Sequence, residues 1–136
     1  MSKVDERTKS EIMDQPRSLR ETIQKESPKI EQIGKAIVAR GCKRIFMAAM
    51  GSSYSAALIA KVFADSILSI PVEVYRGYEL EFEMPVTLDK DACVVPISFS
   101  GETEDVVSAL RFARKRGSYI VSISGPESRR SRKDSL

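Results

Sequence analysis

Three hydroxyl-bearing residues, Ser98, Ser100 and Thr103, surround Gly101 in the run Ser98-Phe99-Ser100-Gly101-Glu102-Thr103, directly after an apolar stretch and directly before a helical pattern. A helix N-terminus presents backbone N–H groups without intrahelical partners and a partial positive charge. Hydroxyls in the same turn add neutral donors, a combination that suits a phosphate monoester. Capping uses one or two such hydroxyls, so the third is surplus to a purely structural role. A second turn of the same kind, Gly51-Ser52-Ser53, follows another apolar run. Gly51 permits a tight turn or close backbone approach. Ser52 and Ser53 fit a ligand contact, and they fit ordinary helix capping equally. Neither turn contains lysine or arginine, neither matches the triphosphate-binding P-loop pattern, and the dinucleotide pattern Gly-x-Gly-x-x-Gly is absent. A single small phosphate, as on a phosphosugar, is the simplest ligand for the pair. Glu102, Glu104 and Asp105 suit the helix dipole but repel a dianion, so they are expected to point away from the ligand.

Other chemistry-bearing groups are less specific. Glu79, Glu81 and Glu83 could include a general base, but their spacing of two on a short helix spreads them around it and favours a solvated face. Tyr75, Arg76 and Tyr78 are placed either at the border of the sugar or in a subunit contact.

The elements that must position these turns follow from hydrophobic periodicity. Residues 1–10 are polar and expected to be disordered. Pro16 reads as the first turn of one amphipathic helix and Ser27-Pro28 as the start of a second, which Gly41 ends. Short β-rich runs then follow at Ile45–Met50, Pro71–Tyr75, Cys93–Ile97 and Tyr119–Ile123. Between them lie helical segments from Gly51 to about Leu68, from about Tyr78 to Glu83, and from about Glu104 to Arg116. Strands alternating with helices predict an α/β fold, a flavodoxin-like three-layer sandwich with a parallel sheet, its fifth strand missing and two helices at its N-terminus. In the flavodoxin-like strand order 2-1-3-4-5 both serine-rich turns sit at the carboxyl ends of neighbouring strands, where such sheets bind ligands.

Composition narrows the class. The chain has 136 residues, 42% of them hydrophobic and 30% charged, with a formal net charge of +3. That suits one globular domain, expected over residues 11–126. Residues 127–136 read as a basic tail, with Arg129, Arg130, Arg132 and Lys133 against Glu127 and Asp134. No aromatic residue interleaves with those charges, so a nucleic-acid partner is disfavoured. Cys42 and Cys93 are far apart and the chain has no histidine, so both read as reduced thiols, and neither a metal nor another cofactor is expected. No apolar stretch reaches the ~18 residues of a membrane span, and the polar start is not a signal peptide. The expected setting is cytoplasmic, without a membrane partner.

Three stretches together resemble the SIS (sugar isomerase) domain family: Glu11-Ile12-Met13-Asp14-Gln15-Pro16, Gly51-Ser52-Ser53-Tyr54-Ser55-Ala56-Ala57, and Ser98-Phe99-Ser100-Gly101-Glu102-Thr103-Glu104-Asp105. Within that family the chain is similar to the first SIS lobe of the isomerase module of glutamine:fructose-6-phosphate aminotransferases (glucosamine-6-phosphate synthases) and to their deglycase relatives. The resemblance implies binding of a hexose 6-phosphate or aminosugar 6-phosphate, with Ser98, Ser100, Thr103 and Gly101 on the phosphate. Gly51, Ser52 and Ser53 take the place of the family's Gly-Thr-Ser turn, and Phe99 stands where the aminotransferases commonly carry glutamine. The family's isomerising glutamate, lysine and histidine lie in a second lobe or a C-terminal tail, and its glutaminase domain is separate. The chain therefore reads as a lobe that binds, as a fragment or half-enzyme needing another SIS lobe, and as a homodimer. The alternative is a non-catalytic phosphosugar sensor or dimerisation module.

Overall fold

The computed structural model describes residues 3–83 and 86–125, with side chains from residue 6 onward. Pro126 and the basic tail at 127–136 lie outside the described residues. In chain order the elements are α1 (Lys3–Ala39), β1 (Arg44–Ala49), α2 (Gly51–Ile67), β2 (Val72–Arg76), α3 (Gly77–Phe82), β3 (Ala92–Ser98), α4 (Glu104–Lys115), β4 (Tyr119–Ile120) and β5 (Ile123–Ser124). The chain divides into two compact units, Met1–Ala36 and Ile37–Leu136.

The first unit corrects the sequence reading. Instead of a disordered start and two helices, a single helix runs from Lys3 with Pro16 and Pro28 inside it. Each proline removes one backbone donor and disturbs the turn before it. Both occupy exposed positions, where water can satisfy the carbonyl that the proline leaves without a partner. Neighbouring turns are laced by Arg7–Glu11 at 2.9 Å, Asp14–Arg17 at 2.7 Å and Glu31–Lys35 at 2.6 Å. Pairs of this spacing link successive helical turns, weakly because they are exposed to solvent. The prolines punctuate this helix without ending it.

The second unit holds the sheet. All strands run parallel in the order β2-β1-β3-β4, and β5 also pairs with β3. β3 is central and almost wholly buried, as expected of a strand covered on both faces. Phe46, Ala48, Ala92 and Val94 point to one face, where Leu80 of α3 and Ala109 and Ala113 of α4 close the core. Cys93 and Val95 point to the other, together with Ile45, Met47 and Ile97. The chain moves from β1 to β2 in one direction and from β3 to β4 in the other. Right-handed crossovers therefore put α2 and α4 on opposite faces.

The run Tyr119–Ile123, expected as one strand, is broken into β4 and β5 on the same flank of β3. Pro96 accounts for the break. The Val94 carbonyl accepts from Val121 N–H at 3.0 Å, so alternate residues of β3 direct their backbone polar groups toward β4 and β5. Pro96 belongs to that alternate set and has no N–H to give. Four strand positions are thus filled among the described residues.

One close approach fixes α3 against α4. A Cβ added at Gly77 would lie 2.5 Å from the Asp105 carbonyl carbon and 2.8 Å from the Val106 nitrogen. Both are backbone atoms that cannot rotate away. Gly77→Ala is expected to lower stability by about 1–3 kcal/mol, the usual cost of overpacking, as read from urea unfolding; an unchanged midpoint would contradict this contact.

The two thiols lie in the core cluster of the second sheet face. Burial, with a smaller contribution from Cys42, pushes the Cys93 thiol up to about 12. At pH 8 the reactive thiolate of Cys93 should be scarce. Native protein should therefore resist iodoacetamide at Cys93 while urea-unfolded protein reacts, and equal rates in the two states would refute this packing.

Candidate functional site

The two serine-rich turns meet because β1 and β3 are direct neighbours. Their last register pair, Ala49 with Ile97, lies immediately before both turns. Gly51 follows with φ 55° and Gly101 with φ 68°, conformations that favour glycine.

After β3 the hydroxyls form a connected cluster. Ser98 is only 6% exposed. Its Oγ lies 2.9 Å from Thr103 Oγ1 and 3.5 Å from Ser100 Oγ, and it accepts from the Gly101 N–H at 3.1 Å. The Ser100 Oγ in turn accepts from the Glu102 N–H at 3.2 Å. Thr103 is the N-cap residue of α4, yet its side chain makes no capping bond to the helix. Its hydroxyl pairs with that of Ser98 instead.

The α2 turn is free of the structural duty that serine there suggests. The N-cap residue is Met50, which has no side-chain capping bond, and Ser52 and Ser53 already lie within the first helical turn. Ser52 is exposed and Ser53 partly so. Both helix starts consequently direct hydroxyl groups and backbone donors toward the same end of the sheet. Phe99 stands 82% exposed on the second turn, as an apolar ring at its rim. Glu102, Glu104 and Asp105 are exposed as well.

Arg76 is a cation on the strand beside the first turn. It ends β2 beside Ala49, and its guanidinium carbon lies 4.8 Å from the centre of the Tyr54 ring on the first turns of α2. Glu79 holds it from the other side, accepting from Arg76 Nη1 at 2.7 Å and from the Arg76 backbone N–H at 2.6 Å. These hydrogen bonds push the Arg76 pKa up and the Glu79 pKa down. The sequence offered Arg76 only as a border residue, because nothing in it showed that β2 ends beside β1 and faces Tyr54.

Of the three glutamates expected on a solvated face, Glu83 is exposed, whereas Glu79 and Glu81 are engaged in bonds. Glu79 caps α3, and Glu81 accepts a hydrogen bond from Ser108 of α4. Tyr75 donates to Glu73 at 2.6 Å, and burial followed by this carboxylate pushes its phenol up to about 12. The carboxylates around β2 are committed to structure.

The SIS domain family matches residues 40–134. The chain belongs to the SIS domain family. It is 34% identical over 116 residues to the isomerizing glutamine–fructose-6-phosphate aminotransferase of Pyrococcus horikoshii, covering 83% of this chain and 19% of that protein. The enzyme of the same name from Chlamydia pneumoniae is 36% identical over 124 residues, covering 87% of this chain and 20% of its own. This SIS chain thus spans about a fifth of the length of the curated relatives it matches. Among solved structures, the C-terminal domain of glucosamine-fructose-6-phosphate aminotransferase from Francisella tularensis superposes with a TM-score of 0.65 at 29% identity, over 75% of this chain and 29% of that one. A glucosamine-6-phosphate deaminase from Thermotoga maritima shares the fold, with a TM-score of 0.74 at 23% identity over 95% of this chain and 38% of that one. No helix among the described residues is long and apolar enough to cross a membrane.

The hydroxyl cluster has a structural consequence that needs no ligand. Removing the Ser98 hydroxyl strips a buried partner from Gly101 N–H and Thr103 Oγ1, although Gly101 N–H keeps the Ser98 carbonyl at 3.1 Å. Ser98→Ala should therefore cost about 1 kcal/mol, the net worth of a neutral hydrogen bond, and Ser100→Ala should cost less because that side chain is exposed. Chemical denaturation of both variants gives the ranking, and the reverse order would contradict the role given to Ser98.

Proposed function

We propose that this SIS domain binds the phosphate of a hexose 6-phosphate or aminosugar 6-phosphate at the carboxyl ends of β1 and β3. Ser98, Ser100, Thr103 and the backbone at Gly101 take the phosphate. Gly51, Ser52 and Ser53 complete the cradle from the facing turn, and Phe99 borders the sugar. The observation that carries this reading is the hydroxyl cluster after β3, where the N-cap threonine leaves its helix uncapped by its side chain and joins a buried serine instead. Neutral donors at a helix start match a dianion without requiring a buried cation. The names of the related proteins, a fructose-6-phosphate aminotransferase above all, point to the same ligand class.

In this reading the lobe belongs to a sugar-phosphate isomerase or aminotransferase in a cytoplasmic setting. Moving a proton between C1 and C2 needs an acid and a base within hydrogen-bond reach of those carbons. Neither turn contains a lysine or histidine, and the carboxylates of Glu79 and Glu81 are engaged in capping and interhelix bonds. A second SIS lobe, from another chain or another copy, would supply the proton-transfer groups. The same engagement of the carboxylates favours, as a second reading, a sensor that binds the phosphosugar without converting it.

Calorimetric titration with fructose 6-phosphate, glucosamine 6-phosphate and inorganic phosphate tests the binding step. Saturable binding of a sugar phosphate is expected, weakened about tenfold or more (~1.4 kcal/mol) in Thr103→Ala and in Ser98→Ala. Failure of the folded wild-type chain to bind either sugar phosphate would overturn the reading. Incubation of the sugar phosphate in deuterated water with this chain and a second SIS lobe together separates enzyme from sensor, because only the isomerase exchanges the C1 or C2 hydrogen.

A further inference from the structure

The loop that carries the hydroxyl cluster also holds an aromatic ring outside the core. Phe99 lies between Ser98 and Ser100, belongs to neither apolar cluster, and is 82% exposed. Small-molecule sites combine apolar and aromatic surface with a few placed polar groups, and a bare ring beside a set of hydroxyls has that composition. The ring is held in place. The Gly125 N–H, directly after β5, donates to the Phe99 carbonyl at 2.9 Å. A Cβ added at Gly125 would lie 2.6 Å from that carbonyl oxygen and 3.2 and 3.3 Å from the ring atoms Cε2 and Cδ2. The edge of the ring therefore rests against a glycine, and any side chain there would press on both the loop and the ring. A phenyl group has only two χ angles to order, so one already laid against backbone loses little more on meeting a ligand.

Phe99 is one peptide from each of the two serines, about 3.8 Å between successive Cα atoms. In a hexose 6-phosphate only the bridging oxygen and C6 separate the phosphorus from the ring carbon C5. The carbon skeleton beside a phosphate held by Ser98 and Ser100 consequently comes within reach of the Phe99 ring. That ring offers no hydrogen bond to a hydroxyl group; it offers apolar area and a quadrupole with a negative face. The two forms of such a sugar differ in what they present to it. A closed pyranose gathers C–H groups on its faces and sets its hydroxyls around the rim. An open chain carries hydroxyls along its whole length, and laying them on a phenyl ring takes them from water without giving them a partner.

We propose that Phe99 is a specificity-determining residue that selects the closed pyranose form of a 6-phosphosugar over the open chain by stacking on its C–H face. This inference rests on the phosphosugar reading above and divides recognition within one loop, the hydroxyls and backbone N–H groups taking the phosphate and the ring taking the sugar. Gly125 is a positioning residue that acts through Phe99. Apolar contacts discriminate modestly between ligands, so the preference is expected to be on the order of tenfold.

Two probes that cannot interconvert test this: 1,5-anhydroglucitol 6-phosphate, fixed as a pyranose, and glucitol 6-phosphate, fixed as an open chain. Inorganic phosphate is the control that does not meet the ring. Calorimetric titration of the full chain should show the pyranose bound about tenfold more tightly than the open chain. Phe99→Gln should reduce that ratio to about twofold or less and leave the affinity for inorganic phosphate unchanged, whereas Phe99→Tyr should keep the ratio. Gly125→Ala, which displaces the ring, should shift the ratio toward that of Phe99→Gln. Equal wild-type affinity for the two probes, or a preference that survives Phe99→Gln, overturns the proposal and leaves the phosphate site standing. Loss of inorganic phosphate binding in Phe99→Gln overturns it as well, since the side chain would then be a support of the loop. A wild type that binds none of the three ligands overturns the phosphosugar reading itself, and this inference with it. Far-UV circular dichroism verifies folding, and the exposed position of Phe99 keeps Phe99→Gln decisive where Gly125→Ala does not fold.

Discussion

The pairing of β1 with β3 is the constraint on which the rest of the second unit depends. Arg44 to Ala49 lie in register with Ala92 to Ile97, and the two strands lead away from that seam in opposite directions. The reversal sends α2 and α4 to opposite faces and leaves their N-termini side by side at one end. A slip of one residue would exchange Val94 for Cys93 against Phe46 and turn the β3 side chains to the wrong faces. It would also rotate Ser98 out of the position from which it reaches Thr103. The same register that builds the core therefore assembles the hydroxyl cluster.

That cluster is held by bonds that leave capacity for more. A buried hydroxyl without partners costs on the order of 1–3 kcal/mol by mutational measures. Ser98 avoids this cost with Gly101 N–H and Thr103 Oγ1. Each hydroxyl offers one donor and two acceptor sites, so a chain of three can turn its protons toward an arriving anion without moving heavy atoms. Thr103 illustrates the trade-off. As an N-cap its side chain could satisfy an α4 donor, typically worth about 1 kcal/mol, and it bonds Ser98 instead.

Much of the second unit was legible from periodicity alone. Near-continuous apolar runs of strand length with helical patterns between them gave the alternating elements, since these signals are local, and the flavodoxin-like order then put both turns at the carboxyl ends of neighbouring strands. The errors came where local signals carry two meanings. Pro16 and Pro28 look like helix starts, yet exposed positions within a helix laced by Arg7–Glu11 and Glu31–Lys35 tolerate them. Pro96 reads only as a hydrophobic residue until the direction of its missing N–H is known, and that direction splits the last strand. Arg76 was ambiguous for a different reason: its proximity to Tyr54 depends on a long-range pairing that no local window contains. The engagement of Glu81 by Ser108 is equally non-local.

The contacts that hold the second unit together also fix the charge states of the groups that make them. General acid–base groups work best with pKa values near the working pH, and perturbed groups at catalytic sites are shifted toward it. Here the shifts run the other way. Glu79 and Asp89 are pushed down by hydrogen bonds, from the Arg76 backbone and the Arg44 side chain respectively, while burial lifts Tyr75 and Cys93 each to about 12. Every one of these groups is driven further from neutrality by a contact that also holds the fold together: a helix cap, a loop anchored to β1, an aromatic pair with Phe46 at 6.0 Å, and the packed second face of the sheet. Making any of them a proton carrier would mean giving up that contact. Such a framework keeps each of these groups in one charge state through the neutral range.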